Sequence, residues 1–168
     1  MFGFNDAKPG SVISIERWNP FKSYYHYGIY SGDNNVIHYV SDSDDDTTTP
    51  YIAETSIERF LHNQPLSDVD VKFFPESKKV LDVILKKKAS NLYSYKQLVE
   101  IFADYHFYSD RETLRRARNS LNGESWTGYR LTTKNCEHFA IWCKTNVQFS
   151  SQVFDNPIGA VIAEILFT

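Results

Sequence analysis

Cys136 sits in the run KNCEHFAIWCK, Lys134–Lys144, where an Asn, a Cys, an acid and an imidazole fall on four consecutive positions ahead of an apolar pattern. Phe139, Ala140 and Cys143 recur with Cys136 at i, i+3, i+4 and i+7, so the spacing predicts a core-packed helix with Cys136 in its first turn. A thiol attacks as thiolate, and its free pKa of about 8.5 falls at a helix N-terminus, where unpaired N–H groups favour negative charge. Cys136 is therefore expected to be acidified. An imidazole can take its proton and return it to a leaving group, and a third polar group can orient that imidazole. His26 and His38 are the candidates for base and orienter.

Plainer readings of the same residues exist. A lone buried Cys is commonly inert core, and His26, flanked by aromatics, could be a hydrogen-bonded core histidine. Cys136, Cys143 and two His would also make four zinc ligands. Yet two thiols seven residues apart on one helix have Cα atoms about 10 Å apart, at about 1.5 Å rise per residue. That separation excludes a disulfide and disfavours one metal shell. His62 and His106 are assigned to structure, and His138, on another helix face from Cys136, to local packing or hydrogen bonding.

The elements that must position these residues are legible in part. KPGSVISIERW predicts a turn and a strand, and YYHYGIYSGDNNVIHYV predicts a hairpin whose SGDNN turn uses the positive-φ tolerance of Gly32 and Asn34. In that hairpin His26 shares a face with Tyr24 and Gly28, and His38 with Val36 and Val40, so the turn can bring the two His side by side. SDSDDDTTTP reads as an exposed acidic loop without the Gly and terminal Glu of a calcium loop. Capping-box pairs Thr55/Glu58, Ser94/Gln97 and Ser109/Glu112 predict helices over 56–62, 95–106 and 110–121, with Gly123 closing the last. DVDVKFFP and GYRLTT read as strands. The Lys86–Lys88 run reads as a solvated helix end.

One domain spanning residues 1–168 is expected, with no internal repeat or dividing linker. A net charge of −3 gives no general electrostatic reason to bind nucleic acid. MFGFNDAKPG lacks the basic and apolar regions of a secretory leader, so a cytoplasmic protein with free thiols is expected. The apolar tail at 157–168 is shorter than the roughly 20 residues of a membrane span. It reads either as a helix docked on the domain or as a membrane-facing element.

Taken in order, KPGSVISIERW, YYHYGIYSGDNNVIHYVSD and NCEHFAIWCK resemble the domain shared by lecithin:retinol acyltransferase and the small HRAS-like suppressor phospholipase/acyltransferases. The resemblance covers the first forty or so residues and 109–145, with an unfamiliar middle from 43 to 108. It implies an α+β fold, an antiparallel sheet with packed helices, like a permuted NlpC/P60 (papain-like) peptidase. By the same resemblance Cys136 is the acyl-accepting nucleophile, His26 its base and His38 the third member. The implied reaction moves an acyl chain from a glycerophospholipid through a Cys136 thioester to water or to an acceptor, at a possible membrane surface, with no metal or organic cofactor. The backbone N–H of Cys136 is the natural oxyanion donor, with Tyr24 and Asn135 as auxiliary candidates. Two rival functions share these residues: a cysteine peptidase or amidase, and a non-catalytic interaction or membrane-remodelling module.

Overall fold

A computed structural model describes residues 3–18, 20–42, 48–123, 125–131, 134–152 and 157–167, with backbone alone at 157–159. The strands are β1 (Val12–Trp18), β2 (Ser23–Gly32), β3 (Asn35–Val40), β4 (Tyr51–Ser56) and β5 (Asp70–Lys72). The helices are α1 (Ile57–Leu61), α2 (Lys78–Lys88), α3 (Leu92–Ile101), α4 (Asp110–Ser120), α5 (Cys136–Thr145) and α6 (Pro157–Leu166). All described strand pairs are antiparallel, and the sheet order is β4-β3-β2-β1-β5. The expected α+β class holds.

Strand alternation divides the core. Val12, Tyr27, Ile29, Ile37 and Tyr39 face a large cluster with Phe139, Ala140, Ile141 and Cys143 of α5 and Ile162, Ile165 and Leu166 of α6. Ile13, Ile15, Val36 and Val71 face a smaller cluster with Ile57, Phe60 and Leu61 of α1. The β2–β3 turn places Gly32, Asp33 and Asn34 at positive φ, as the SGDNN composition predicts. On α6 the buried face belongs to the large cluster, and Glu164 pairs with Lys88 at 2.7 Å. Among the described residues no helix is long and apolar enough to cross a membrane.

Several elements differ from the sequence expectation. Ser109 and Glu112 form the expected capping box of α4, but Asn91 with Ser94 starts α3 three residues earlier than predicted, and α3 stops at Ile101. His106 therefore lies in the loop after that helix, its ring against Tyr108. Thr55 caps nothing: it belongs to β4, and Ser56 precedes α1 without a side-chain cap. The Lys86–Lys88 run ends α2, whose body the sequence did not disclose because Leu81 and Leu85 are its buried residues among many lysines. GYRLTT gives only a bridge between Arg130 and Lys134, with Thr132 and Thr133 outside the described residues, as are residues 43–47 of the acidic loop.

Gly28 shows how tightly the histidine face is built. A Cβ there would lie 2.6 Å from Val36 Cγ1, 3.1 Å from Phe60 Cε2 and 3.2 Å from the His38 Cβ. Gly28→Ala is expected to cost about 1–3 kcal/mol of stability by overpacking and to displace His38. Urea unfolding together with the His38 ring resonances in NMR would check this; unchanged stability and unchanged shifts would contradict it.

Candidate active site

The site forms where β3 leaves β2. β2 stays paired with β1 down to Ser23, but its pairing with β3 begins only at Gly28↔His38. Beyond that point the backbone of Tyr25 is served by a side chain: Gln152 Oε1 accepts from Tyr25 N–H at 2.7 Å, and Gln152 Nε2 donates to the Tyr25 carbonyl at 2.9 Å. The amide thus makes the two bonds that a neighbouring strand residue would make. The Cys136 thiol enters the same gap and donates to the Tyr25 carbonyl at 3.7 Å.

Cys136 is the first residue of α5, and Asn135 is its N-cap. Asn135 Oδ1 accepts from the His138 N–H at 3.0 Å, and the Asn135 N–H donates to His138 Nδ1 at 3.3 Å, closing a capping box. His138 is therefore a local partner of the helix start, as expected. Asn135 Nδ2 donates to the Leu131 carbonyl at 3.1 Å and to Ser150 Oγ at 3.2 Å. With both amide ends engaged, Asn135 holds the helix start.

Glu137, the acid of NCEHF, is fully buried. Its carboxylate accepts from Ser150 Oγ (2.6 Å), Ser151 Oγ (2.7 Å), Gln152 N–H (3.2 Å) and Gln152 Nε2 (3.3 Å). It thereby locks the 150–152 segment, and through Gln152 the β2 backbone, against the thiol-bearing helix.

The two imidazoles meet as the hairpin predicts. His26 Nε2 and His38 Nδ1 are 2.8 Å apart, and both rings stand against Phe60 of α1 at centroid distances of 5.2 and 5.3 Å. His38 Nε2 lies 2.7 Å from Thr55 Oγ1, whose hydroxyl donates to the Ser56 carbonyl at 3.2 Å. In the tautomer in which Thr55 Oγ1 accepts from His38 Nε2–H, His38 Nδ1 accepts from His26 Nε2–H and His26 Nδ1 keeps the lone pair.

Among the described residues Cys136 and His26 are not hydrogen-bonded to each other. The body of α5 packs on one face of the sheet, whereas His26 and His38 lie against α1 on the other. Thiol and imidazoles approach β2 from opposite faces, and the gap beside Tyr25 is where the thiol enters the sheet.

The electrostatics correct the expected acid thiol. Burial raises Cys136 to about 11, outweighing the backbone N–H of Tyr27, the Arg17 guanidinium and the N–H of Glu137, which favour thiolate; the Glu137 charge adds to the rise. Burial, with Arg17, His38 and His62 behind it, holds His26 well below the ordinary imidazole range. His38 is lowered to about 3, again first by burial and then by Arg17 and Arg59. Cys143, wholly inside the helix's core face, is pushed upward by burial. Arg17, which the sequence reading passed over, donates to the Phe60 carbonyl at 2.6 Å, and its buried Nε has no partner. Tyr24 sits across β1–β2 from Arg17 and hydrogen-bonds its guanidinium.

Arg17, Thr55, Glu137 and Gln152 thus join the sequence candidates at this site. Thr55 could have been found as the residue facing the His strand had β4 been legible, and Glu137 as a buried acid on the stripe side of α5. Gln152 carries no local signal.

The fold is thus an α+β domain with a thiol at a helix start and paired imidazoles on adjacent strands. The lecithin retinol acyltransferase family model matches residues 5–149, and the chain belongs to that family. The match spans the middle segment as well as the motif regions. Acyltransferase and phospholipase-type activity goes with this family. A comparison with the curated proteins found no match.

Proposed function

We propose that the protein takes an acyl chain from a glycerophospholipid onto Cys136 and passes it to water or to an acceptor hydroxyl or amine. The observation that carries this reading is the contact of His26 with His38 and of His38 with Thr55, which, with Thr55 as the acceptor, leaves the His26 Nδ1 lone pair as the base. The thiol, parked on the Tyr25 carbonyl, turns about its Cα–Cβ bond toward that nitrogen, as catalytic contacts that are loose in the free enzyme tighten with substrate.

His26 then takes the thiol proton as Sγ attacks the ester carbonyl. The backbone N–H groups of Cys136 and Tyr27 are the donors for the oxyanion. When the tetrahedral intermediate collapses, the ester C–O bond breaks and His26 returns the proton to the departing lysophospholipid oxygen. The thioester is opened by water or an acceptor, whose proton passes to His26 and on to the departing thiolate. His38 holds the His26 ring and Thr55 holds His38.

Incubation with phosphatidylcholine vesicles, followed by intact mass spectrometry and lipid analysis, is expected to show an acyl adduct on Cys136 or released lysophospholipid. Both should vanish with Cys136→Ser. Folded protein that gives neither would move the assignment to the non-catalytic module, the second reading favoured by a thiol held at about 11 and bonded to a carbonyl instead of to His26. Cleavage of a peptide or muropeptide instead would point to the peptidase reading.

A further inference from the structure

A cation at the site stands without a counter-charge. The register pairs Arg17↔Tyr24 and Ile15↔His26 put the side chains of Arg17, Tyr24 and His26 on one face of the sheet, the face that also carries His38 and Phe60. The Arg17 guanidinium donates to the Phe60 carbonyl at 2.6 Å and hydrogen-bonds Tyr24, while its Nε is buried with no partner. Among the described residues no Asp or Glu forms an ion pair with it. Glu16, the nearest acid in the sequence, falls on the opposite face by strand alternation and acts on Tyr25.

A guanidinium keeps its charge in a protein, and a charge drawn out of water is costly unless an opposite charge meets it. Burial is the largest influence on Arg17 and disfavours its charge. Tyr24 and the Phe60 carbonyl offer dipoles only. The neighbours that act on the imidazole pair, Arg17, Arg59 and His62, bring no negative charge either. Arg17 is close enough to Cys136 for each to act on the other's charge. It is only half-buried, next to the exposed Trp18 at the end of β1, which leaves a ligand a way in. Phosphatidylcholine carries a single anionic group, its phosphodiester, a few bonds from the esters. A planar guanidinium fork matches phosphate oxygens.

We propose that Arg17 is the phosphate-binding residue of this site: its guanidinium takes the phosphodiester of the glycerophospholipid and so sets the ester carbonyl between Cys136 and His26. Headgroup binding thereby orients the reacting ester. This rests on the acyl-transfer reading, since it names what holds the lipid while the thiol attacks.

Dihexanoyl-phosphatidylcholine, kept below its micelle concentration, and dihexanoylglycerol present the same acyl esters with and without the phosphate. Wild type should prefer the first. Arg17→Met should lower kcat/KM for it by about ten- to a hundredfold, the worth of hydrogen bonds to a charged group. The phosphate-free ester should lose less, so that the preference falls by about tenfold or more, and Arg17→Lys should recover part of it. Cys136→Ser removes the nucleophile and leaves binding to be read alone. In that variant the phosphatidylcholine should move the Arg17 Nε–H resonance, and the diacylglycerol should not. Inorganic phosphate, titrated in parallel, separates a lipid headgroup site from a free-anion site. Circular dichroism checks folding; where Arg17→Met does not fold, Arg17→Lys and the Nε–H titration carry the test.

Equal losses on the two esters would make Arg17 a stabiliser of the thiolate or the oxyanion and overturn the phosphate assignment. An Nε–H resonance that inorganic phosphate moves and the lipid does not would overturn it as well. A shift with phosphatidylcholine, but no turnover of either ester by wild type, would leave the phosphate site standing and sink the acyl-transfer reading. Turnover without preference for the phosphate-bearing ester would do the reverse.

Discussion

His26→Ala is expected to slow formation of the Cys136 acyl adduct by about 10²–10⁴-fold, the usual yield of a positioned general base. Thr55→Val and His38→Ala should cost less, because each leaves the attacking pair and removes only its orienting support. The reverse order would overturn the assignment of His26 as base. An ordinary imidazole would give an acid limb in the rate near pH 6 to 7. Burial and Arg17 move that limb: His26 stays neutral well below its usual range, and the thiol stays protonated up to about 11. Between those values the neutral pair prevails, so single-turnover acylation of a monomeric substrate should be level from pH 8 to pH 6. A solvent deuterium isotope effect above one is expected, since the proton moves during attack and not before it. A limb centred at 6.5 would contradict the neutral, desolvated His26.

The acid edge should instead be one of stability. His26 is held well below 6.5, His38 at about 3 and His138 at about 4, each lowered first by burial. In the unfolded chain these imidazoles take up protons below about 6.5, so the stability they contribute is fully present above that pH and is lost as pH falls toward the folded values. At pH 5 each costs about 2 kcal/mol relative to pH 7, and the three together about 6 kcal/mol. That is comparable with a whole domain's stability of about 5–15 kcal/mol. Urea unfolding at pH 7 and pH 5 measures it, and equal midpoints would show that the imidazoles are not desolvated.

What could be read from the chain follows from the range of the interactions. The β2–β3 hairpin, the His26–His38 contact and the α5 stripe are local, set by turn residues and by periods of two and 3.6. Strand β4 was not legible because its six residues pair with β3 across a loop of acidic residues that carries no pattern. α2 was hidden by lysines around a narrow apolar stripe. The site itself divides in the same way. Cys136, His26 and His38 announce themselves by type and spacing, while Gln152 acts on Tyr25 across 127 residues of sequence through backbone groups that no periodicity marks. The thiol's elevated pKa was also out of reach, because a helix N-terminus is visible in sequence but the burial that outweighs it is not.

That long-range clamp has a second large expected effect. Glu137→Ala removes the acceptor shared by Ser150, Ser151 and both donors of Gln152. Buried donors left without partners cost about 1–3 kcal/mol each, so a loss of at least about 3 kcal/mol is expected even where water replaces some bonds. Glu137→Gln is the control: Ser150 Oγ, Gln152 N–H and Gln152 Nε2 share Oε2, and only the Ser151 hydroxyl meets Oε1. An amide with its NH₂ toward Ser151, whose hydroxyl can turn to accept, keeps the Gln152 bonds. Glu137→Gln should therefore lose less stability and leave Gln152 on Tyr25, whereas Glu137→Ala should release it and free the β2 backbone that receives the thiol. The readouts are the protection of the Tyr25 amide against hydrogen exchange and the acylation rate, both of which should fall in Glu137→Ala and hold in Glu137→Gln. Glu137→Ala with reduced stability but unchanged Tyr25 protection and unchanged rate would make Glu137 a support of α5 alone, with the Gln152 bonds to β2 standing without it.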